Sequence, residues 1–166
     1  MKLSKNFSLS ELTKSQTAER MGLDNNPSEG EVENLRLLCE RVLQPVRDHF
    51  NQVVSVSSGY RNEILSQKIG SSSKSQHCKG MACDFEIFGV PNNEVSDWIK
   101  ENLMFDQLIL EYYTPGEPNS GWIHCSYNGS EVNANRKEYL MAIKNSETGK
   151  TEYKPIMGLS TDRYAK

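Results

Sequence analysis

Between about Ser28 and Phe50 the apolar residues Val32, Leu35, Leu38, Cys39, Val42, Leu43, Val46 and Phe50 recur every three or four positions. That period belongs to a helix with one buried face. Pro45 lies inside the run and lacks a backbone N–H, so it is expected to kink or divide the helix. Upstream, Ser8 with Glu11 three residues later reads as a capping box, and Leu9 and Leu12 open the apolar face of a short helix running toward Met21. Residues 61–70 and the stretch Pro91 to Leu103 carry two more helical patterns, the second capped at Asn92 or Asn93. Elsewhere the period shortens, and residues 53–60, 81–89, 105–113 and 121–128 read as strands. The turn-rich "TPGEPNS" between the last two predicts an antiparallel pair. After Gly129 the pattern offers one more strand within "NANRKEYLMAIKN", then a polar "SETGKTEYKP". This order predicts an α+β fold, a single domain over residues 1–166 with a small, mainly antiparallel sheet flanked by helices. Residues 129–166 form a C-terminal extension without an assigned role.

Composition narrows the classes. The chain has 166 residues, 36% hydrophobic and 25% charged, enough for a real core and far from the composition of disorder. The net charge is −3 and no Lys/Arg-rich run stands out, so nucleic acid is not an expected partner. Apolar runs are too short to insert in a membrane, and the lysines of "MKLSKNFSLSELTKSQ" precede no apolar stretch, so no secretory signal is read. The four cysteines form no CxxC pair, and reduced thiols are expected. Cys83 and Cys125 read as small core residues. A monomer is expected.

Strand alternation then gathers the chemistry. Ala82, Asp84 and Glu86 share one face of their strand; Ile109, Glu111 and Tyr113 share one of theirs; Trp122, His124 and Ser126 share one of theirs. Asp84, Glu111 and His124 can therefore meet on one side of a sheet, with His77 folding over them from the loop before. Imidazole and carboxylate are zinc ligands, and a catalytic zinc keeps three protein ligands with one position open. His77, Asp84 and His124 supply that count, leaving Glu111 to act as a base on the attacking water. Blander accounts stand beside this one. An aspartate in an apolar strand needs a partner, and Arg61 or Lys79 would make a structural ion pair with Asp84. Glu111 has the same need. Cys78, next to His77, is a further candidate ligand. His49, at a helix end, reads as a surface residue.

Four segments carry a resemblance: "SSGYR" (57–61), "SQHCKGMACD" (75–84), "FDQLILE" (105–111) and "WIHCSY" (122–127). Together they resemble the M15 peptidases, the zinc D-Ala-D-Ala carboxypeptidases and related cell-wall peptidases, above all their short branch in phages and bacteria. The S-x-H-x-x-G-x-A-x-D pattern is met by Ser75, His77, Gly80, Ala82 and Asp84, and W-x-H by Trp122 and His124. The lead-in "NFSLSELTKSQTAERMGLDNNP" is similar too, and the likeness extends over residues 5–128. It implies the Hedgehog/DD-peptidase fold, one zinc ion on His77, Asp84 and His124, and Arg61 binding a substrate carboxylate or the oxyanion. Ser75, Gln76 and Trp122 are expected to line the substrate site. Several relatives carry their catalytic acid three positions before the last histidine. Here that position is Gly121, so Glu111 is expected to replace it.

The resemblance implies peptidoglycan stem peptides as substrate, cut at a terminal D-Ala or at an L-Ala–D-Glu-type internal bond. A phage endolysin-like enzyme made in the host cytoplasm and released by a holin fits, as does a virion component or a bacterial enzyme. Two rival expectations remain open. One is a non-catalytic wall-binding or virion module that keeps the fold. The other is a structural metal site closed by Cys78 or Glu111 as fourth ligand.

Overall fold

A computed structural model describes residues 1–129 and 132–156 of the chain. Two short strands, β1 (Lys2–Ser4) and β2 (Phe7–Ser8), pair antiparallel and lead into α1 (Leu9–Thr13). The capping box at its start is present: Ser8 Oγ accepts from the Glu11 amide and Glu11 reaches back to the Ser8 amide. The expected single helix to Met21 is two, because the chain breaks at Lys14 and restarts as α2 (Gln16–Met21) with Ser15 as its own N-cap. Serine competes for backbone hydrogen bonds and favours such a cap over a helix interior.

The long apolar helix is α3 (Glu29–Leu38), a π-helical turn over Cys39–Leu43, and α4 (Gln44–Phe50). Pro45 does divide the run, and the form of the division is specific. The Gln44 amide bonds to the Cys39 carbonyl, a register one residue wider than the α pattern. The ladder thus loosens just where Pro45 has no N–H to offer.

The remaining elements are β3 (Ser55–Ser58), α5 (Glu63–Lys68), β4 (Ala82–Glu86), α6 (Asn92–Asn102), β5 (Gln107–Glu111), β6 (Trp122–Ser126), β7 (Glu138–Lys144) and β8 (Thr151–Pro155). The main sheet has six strands in the order β3-β4-β6-β5-β7-β8. The β5–β6 pair is antiparallel as expected, but β7 lies parallel to β5. The sheet is therefore mixed, with four antiparallel pairings and one parallel. The polar stretch after β7 also holds a strand: β8 pairs with β7 through a turn in which Asn145 Oδ1 accepts from the Glu147 and Thr148 amides. Helix α6 starts after Pro91 without a side-chain cap. The expected cap, Asn92, is buried and donates to the Ser120 carbonyl, fastening the helix start to the β5–β6 loop.

One face of the sheet forms the core. Cys83, Phe85, Leu108, Leu110, Ile123 and Cys125 are fully buried there in one cluster with Leu35, Leu38, Val42 and Val46 of the long helical segment and Ile99 of α6. At about 1.5–3 kcal/mol per buried aliphatic or aromatic side chain, this face fixes the strand register. The opposite face is thereby committed to outward-pointing Asp84, Glu111 and His124. His49 lies away from that face and stacks on Trp98, ring centroids 4.3 Å apart.

Candidate metal centre and cleft

The register puts Asp84 opposite His124 on β4 and β6, and Ile109 opposite His124 and Glu111 opposite Trp122 on β5 and β6. His77 enters from a 3-10 turn, Gln76–Lys79, capped by Ser75, whose Oγ accepts from the His77 amide at 3.2 Å. Gly80 closes that turn at φ +72°, and a Cβ there would sit 2.6 Å from the Glu31 carbonyl oxygen. Only glycine tolerates both. Gly59 is equally confined, because a Cβ would come within 2.3 Å of the Leu12 carbonyl oxygen. These contacts give the "SSGYR" and S-x-H-x-x-G patterns a physical reason: Gly59 lets the end of β3 press on the Leu12 backbone, and Gly80 lets the His77 turn press on α3.

His77 is 2% exposed. Its Nδ1 lies 2.7 Å from the Gly59 carbonyl oxygen, which can only accept, so Nδ1 carries the proton and Nε2 is left bare. That is how a second partner orients a metal-binding imidazole. Nε2 stands 3.4 Å from Asp84 Oδ1, and His124 Nδ1 stands 2.9 Å from the same oxygen. The three ligand atoms lie within 4.8 Å of one another. Bonds of about 2 Å at tetrahedral angles separate ligand atoms by about 3.3 Å, so the set fits a zinc ion with little movement.

The electrostatics agree. Burial works against the Asp84 charge, yet the interactions with the His124 and His77 rings outweigh it and hold the carboxyl well below its usual range. Burial lowers the His77 pKa, against the pull of Asp84, which favours the neutral imidazole that ligates metal. Asp84 thus pairs with the two histidines; neither Arg61 nor Lys79 forms an ion pair with it among the described residues. Cys78 turns away, its Sγ 3.9 Å from the Ser72 carbonyl oxygen, and does not join the cluster.

The cluster opens onto a cleft of about 680 Å³, within the range of small-ligand sites. Arg61, Ser75, Gln76, Glu111 and Trp122, all expected there, line it. Glu111 is raised above the usual carboxylate range, first by burial and then by the charge of Asp84. The Trp122 indole N–H pulls the other way, although no hydrogen bond of full geometry joins it to Glu111. No ion pair holds Glu111 among the described residues. Arg61 is half-buried, and its Nε has no hydrogen-bond partner.

The chain matches the family model described as Peptidase M15 over residues 5–126. It belongs to the M15 peptidase family. As an M15 peptidase it is a zinc metallopeptidase. Among solved structures, a Zn(II)-bound mutant of the vancomycin-resistance D,D-pentapeptidase VanY, from the VanB-type cassette, is 23% identical with a TM-score of 0.37. That match covers 57% of this chain and 70% of the other. No curated protein matches.

The cleft is also lined by residues that the sequence pattern did not single out. Tyr112, Gln107, Arg136 and Tyr153 line the cleft, and the last two come from beyond the matched segment. Tyr153 sits on β8, a strand that composition hid. Asp106, 4% exposed, holds the Arg136 guanidinium through Nε and Nη2 at 2.9 and 3.0 Å. Burial opposes the Asp106 charge, but hydrogen bonds from Arg136 and Gln76 leave its pKa lowered. The stability this clamp provides is therefore fully present above the unfolded value near pH 4 and is lost as pH falls toward the lower native value. Asp106→Asn is expected to cost about 1–3 kcal/mol at neutral pH. It should also flatten the acid side of the stability profile, as read by urea unfolding from pH 3 to 7.

Proposed function

We propose that this enzyme hydrolyses peptide bonds in peptidoglycan stem peptides, with His77, Asp84 and His124 holding the zinc. The observation that carries the reading is the three-donor cluster, closed beneath by the sheet and open above to a cleft that also holds Glu111 and Arg61. His77, Asp84 and His124 would hold a zinc ion there, which would supply Lewis acidity to a water and to the scissile carbonyl near neutral pH. Glu111 takes a proton from the attacking water and delivers it to the leaving amine. Its raised pKa means the base is lost as pH falls through a value above the ordinary carboxylate range. Arg61 turns its guanidinium to the developing oxyanion or to a substrate carboxylate, either of which its planar fork matches. Ser75 fixes the His77 loop, and Trp122 walls the cleft beside Glu111.

The bond is a terminal D-Ala or an L-Ala–D-Glu-type linkage. An endolysin-like role in phage lysis rests on the likeness to the short branch. Among the described residues no helix is long and apolar enough to cross a membrane.

Zinc titration tests the ligand set. Metal-free protein should take up one equivalent, and His77→Ala, Asp84→Ala and His124→Ala should each lower the affinity at least 100-fold, the upper end of the effect of second-sphere changes. Circular dichroism should show that the metal-free fold persists. Unfolding on metal removal would instead mark a closed structural site.

A further inference from the structure

The Asp106 carboxylate gathers four N–H groups: Arg136 N and Nε on Oδ1 at 3.1 and 2.9 Å, and Arg136 Nη2 and Gln76 Nε2 on Oδ2 at 3.0 and 2.8 Å. Two further backbone bonds hold the same segment down, from the Lys137 amide to the Phe105 carbonyl and from the Glu138 amide to the Asp106 carbonyl, both 3.0 Å. Arg136 lies outside the segment shared with the family model, so this anchor is supplied by the C-terminal extension.

The consequence falls on Gln76. An amide side chain has a donor end and an acceptor end, and an ionised carboxylate only accepts. Asp106 therefore fixes which way the amide points: the NH2 goes to the carboxylate, and Oε1 is the end left for the cleft that Gln76 lines. No described group donates to Oε1. Gln76 directly precedes His77, and both line the cleft with Asp84 and His124.

Building on the peptidase reading, we propose that Gln76 Oε1 accepts a backbone N–H of the bound peptide next to the scissile bond, and that Asp106 and Arg136 are positioning residues that fix the amide's orientation. The cleft then selects an extended peptide by a main-chain donor and rejects a chain that lacks N–H at that one position. The loss reflects an acceptor left unpaired in a desolvated place.

The test is a methyl scan. Stem peptides methylated at one backbone nitrogen at a time are bound to zinc-loaded wild type, Gln76→Leu and Asp106→Asn, with dissociation constants from calorimetry and hydrolysis followed in parallel. Wild type should lose about three- to tenfold in affinity at one nitrogen, and that loss should vanish in Gln76→Leu, whose zinc affinity should stay unchanged. In Asp106→Asn the neutral amide can donate to Gln76 Oε1 and turn the NH2 outward, so affinity should fall without a change at Gln76 itself. Arg136→Lys should fall in between. Equal losses in wild type and Gln76→Leu at every nitrogen would overturn the proposal. A site-specific loss in binding with no hydrolysis at all would keep Gln76 in this role and overturn the peptidase reading instead.

Discussion

Glu111→Gln lowers the rate of peptide hydrolysis by about 10²–10⁴-fold, the usual contribution of a positioned general base. The amide is nearly isosteric with the carboxylate, and no ion pair of Glu111 among the described residues is broken by the change. The zinc content and unfolding midpoint should therefore match wild type, with the fall appearing in kcat. The same comparison separates the two roles open to this residue. Were Glu111 a fourth ligand, the substitution would release metal. Were it a structural carboxylate, it would shift the midpoint and spare the rate. Burial beside the negative Asp84 has raised its pKa, which stores basicity for the proton transfer and gives the charged group no stabilising role in the fold.

Gly121→Ala costs about 2–4 kcal/mol of stability, from a strained backbone and a forced overlap. Gly121 has φ +67°, where a side chain is strained, and an added Cβ would lie 1.9 Å from the Glu111 carbonyl oxygen and 2.8 Å from the Tyr112 carbonyl carbon. Tyr112 itself takes φ +56°, so the chain turns sharply at the end of β5 just where β6 begins beside it. The two departures belong together. The tight β5–β6 closure aims Glu111 at the cleft and leaves no room for a side chain at 121, the position where several M15 relatives carry their acid. Gly121→Glu in a Glu111→Gln background is expected to unfold more easily than wild type or Glu111→Gln and to restore no activity. Urea unfolding and hydrolysis rates of the four proteins check both statements.

How far the sequence spoke can be judged from particular residues. Ser8 with Glu11 predicted a cap that is present, because a capping box is complete within four residues. The alternation in β4, β5 and β6 predicted which side chains face the cleft, because period two is exact and the core face is apolar. Asp84, His124 and Glu111 thus fell on one side before any register was known. The parallel pairing of β7 with β5 left no such trace: it depends on partners 31 residues apart, and parallel and antiparallel strands share one local pattern. Strand β8 was hidden by its own chemistry, since an edge strand of Thr151, Glu152, Tyr153 and Lys154 has little to bury and reads as a loop. Arg136 and Asp106 were missed for a related reason. A charge pair is visible in a sequence only when spacing brings its halves together, and these stand thirty positions apart. The unexpected cleft residues Arg136 and Tyr153 all trace to this late-pairing segment.

The central claim is a zinc-dependent hydrolysis carried out at the His77–Asp84–His124 face. It is tested most directly by digesting purified peptidoglycan with native protein, EDTA-treated protein and EDTA-treated protein restored with zinc, and reading the released peptides by mass spectrometry. The account predicts new ends, free D-Ala or L-Ala–D-Glu cleavage products, from the native and restored proteins and none from the metal-free one. Peptidoglycan left intact by all three, with one zinc bound in the first and third, would contradict it.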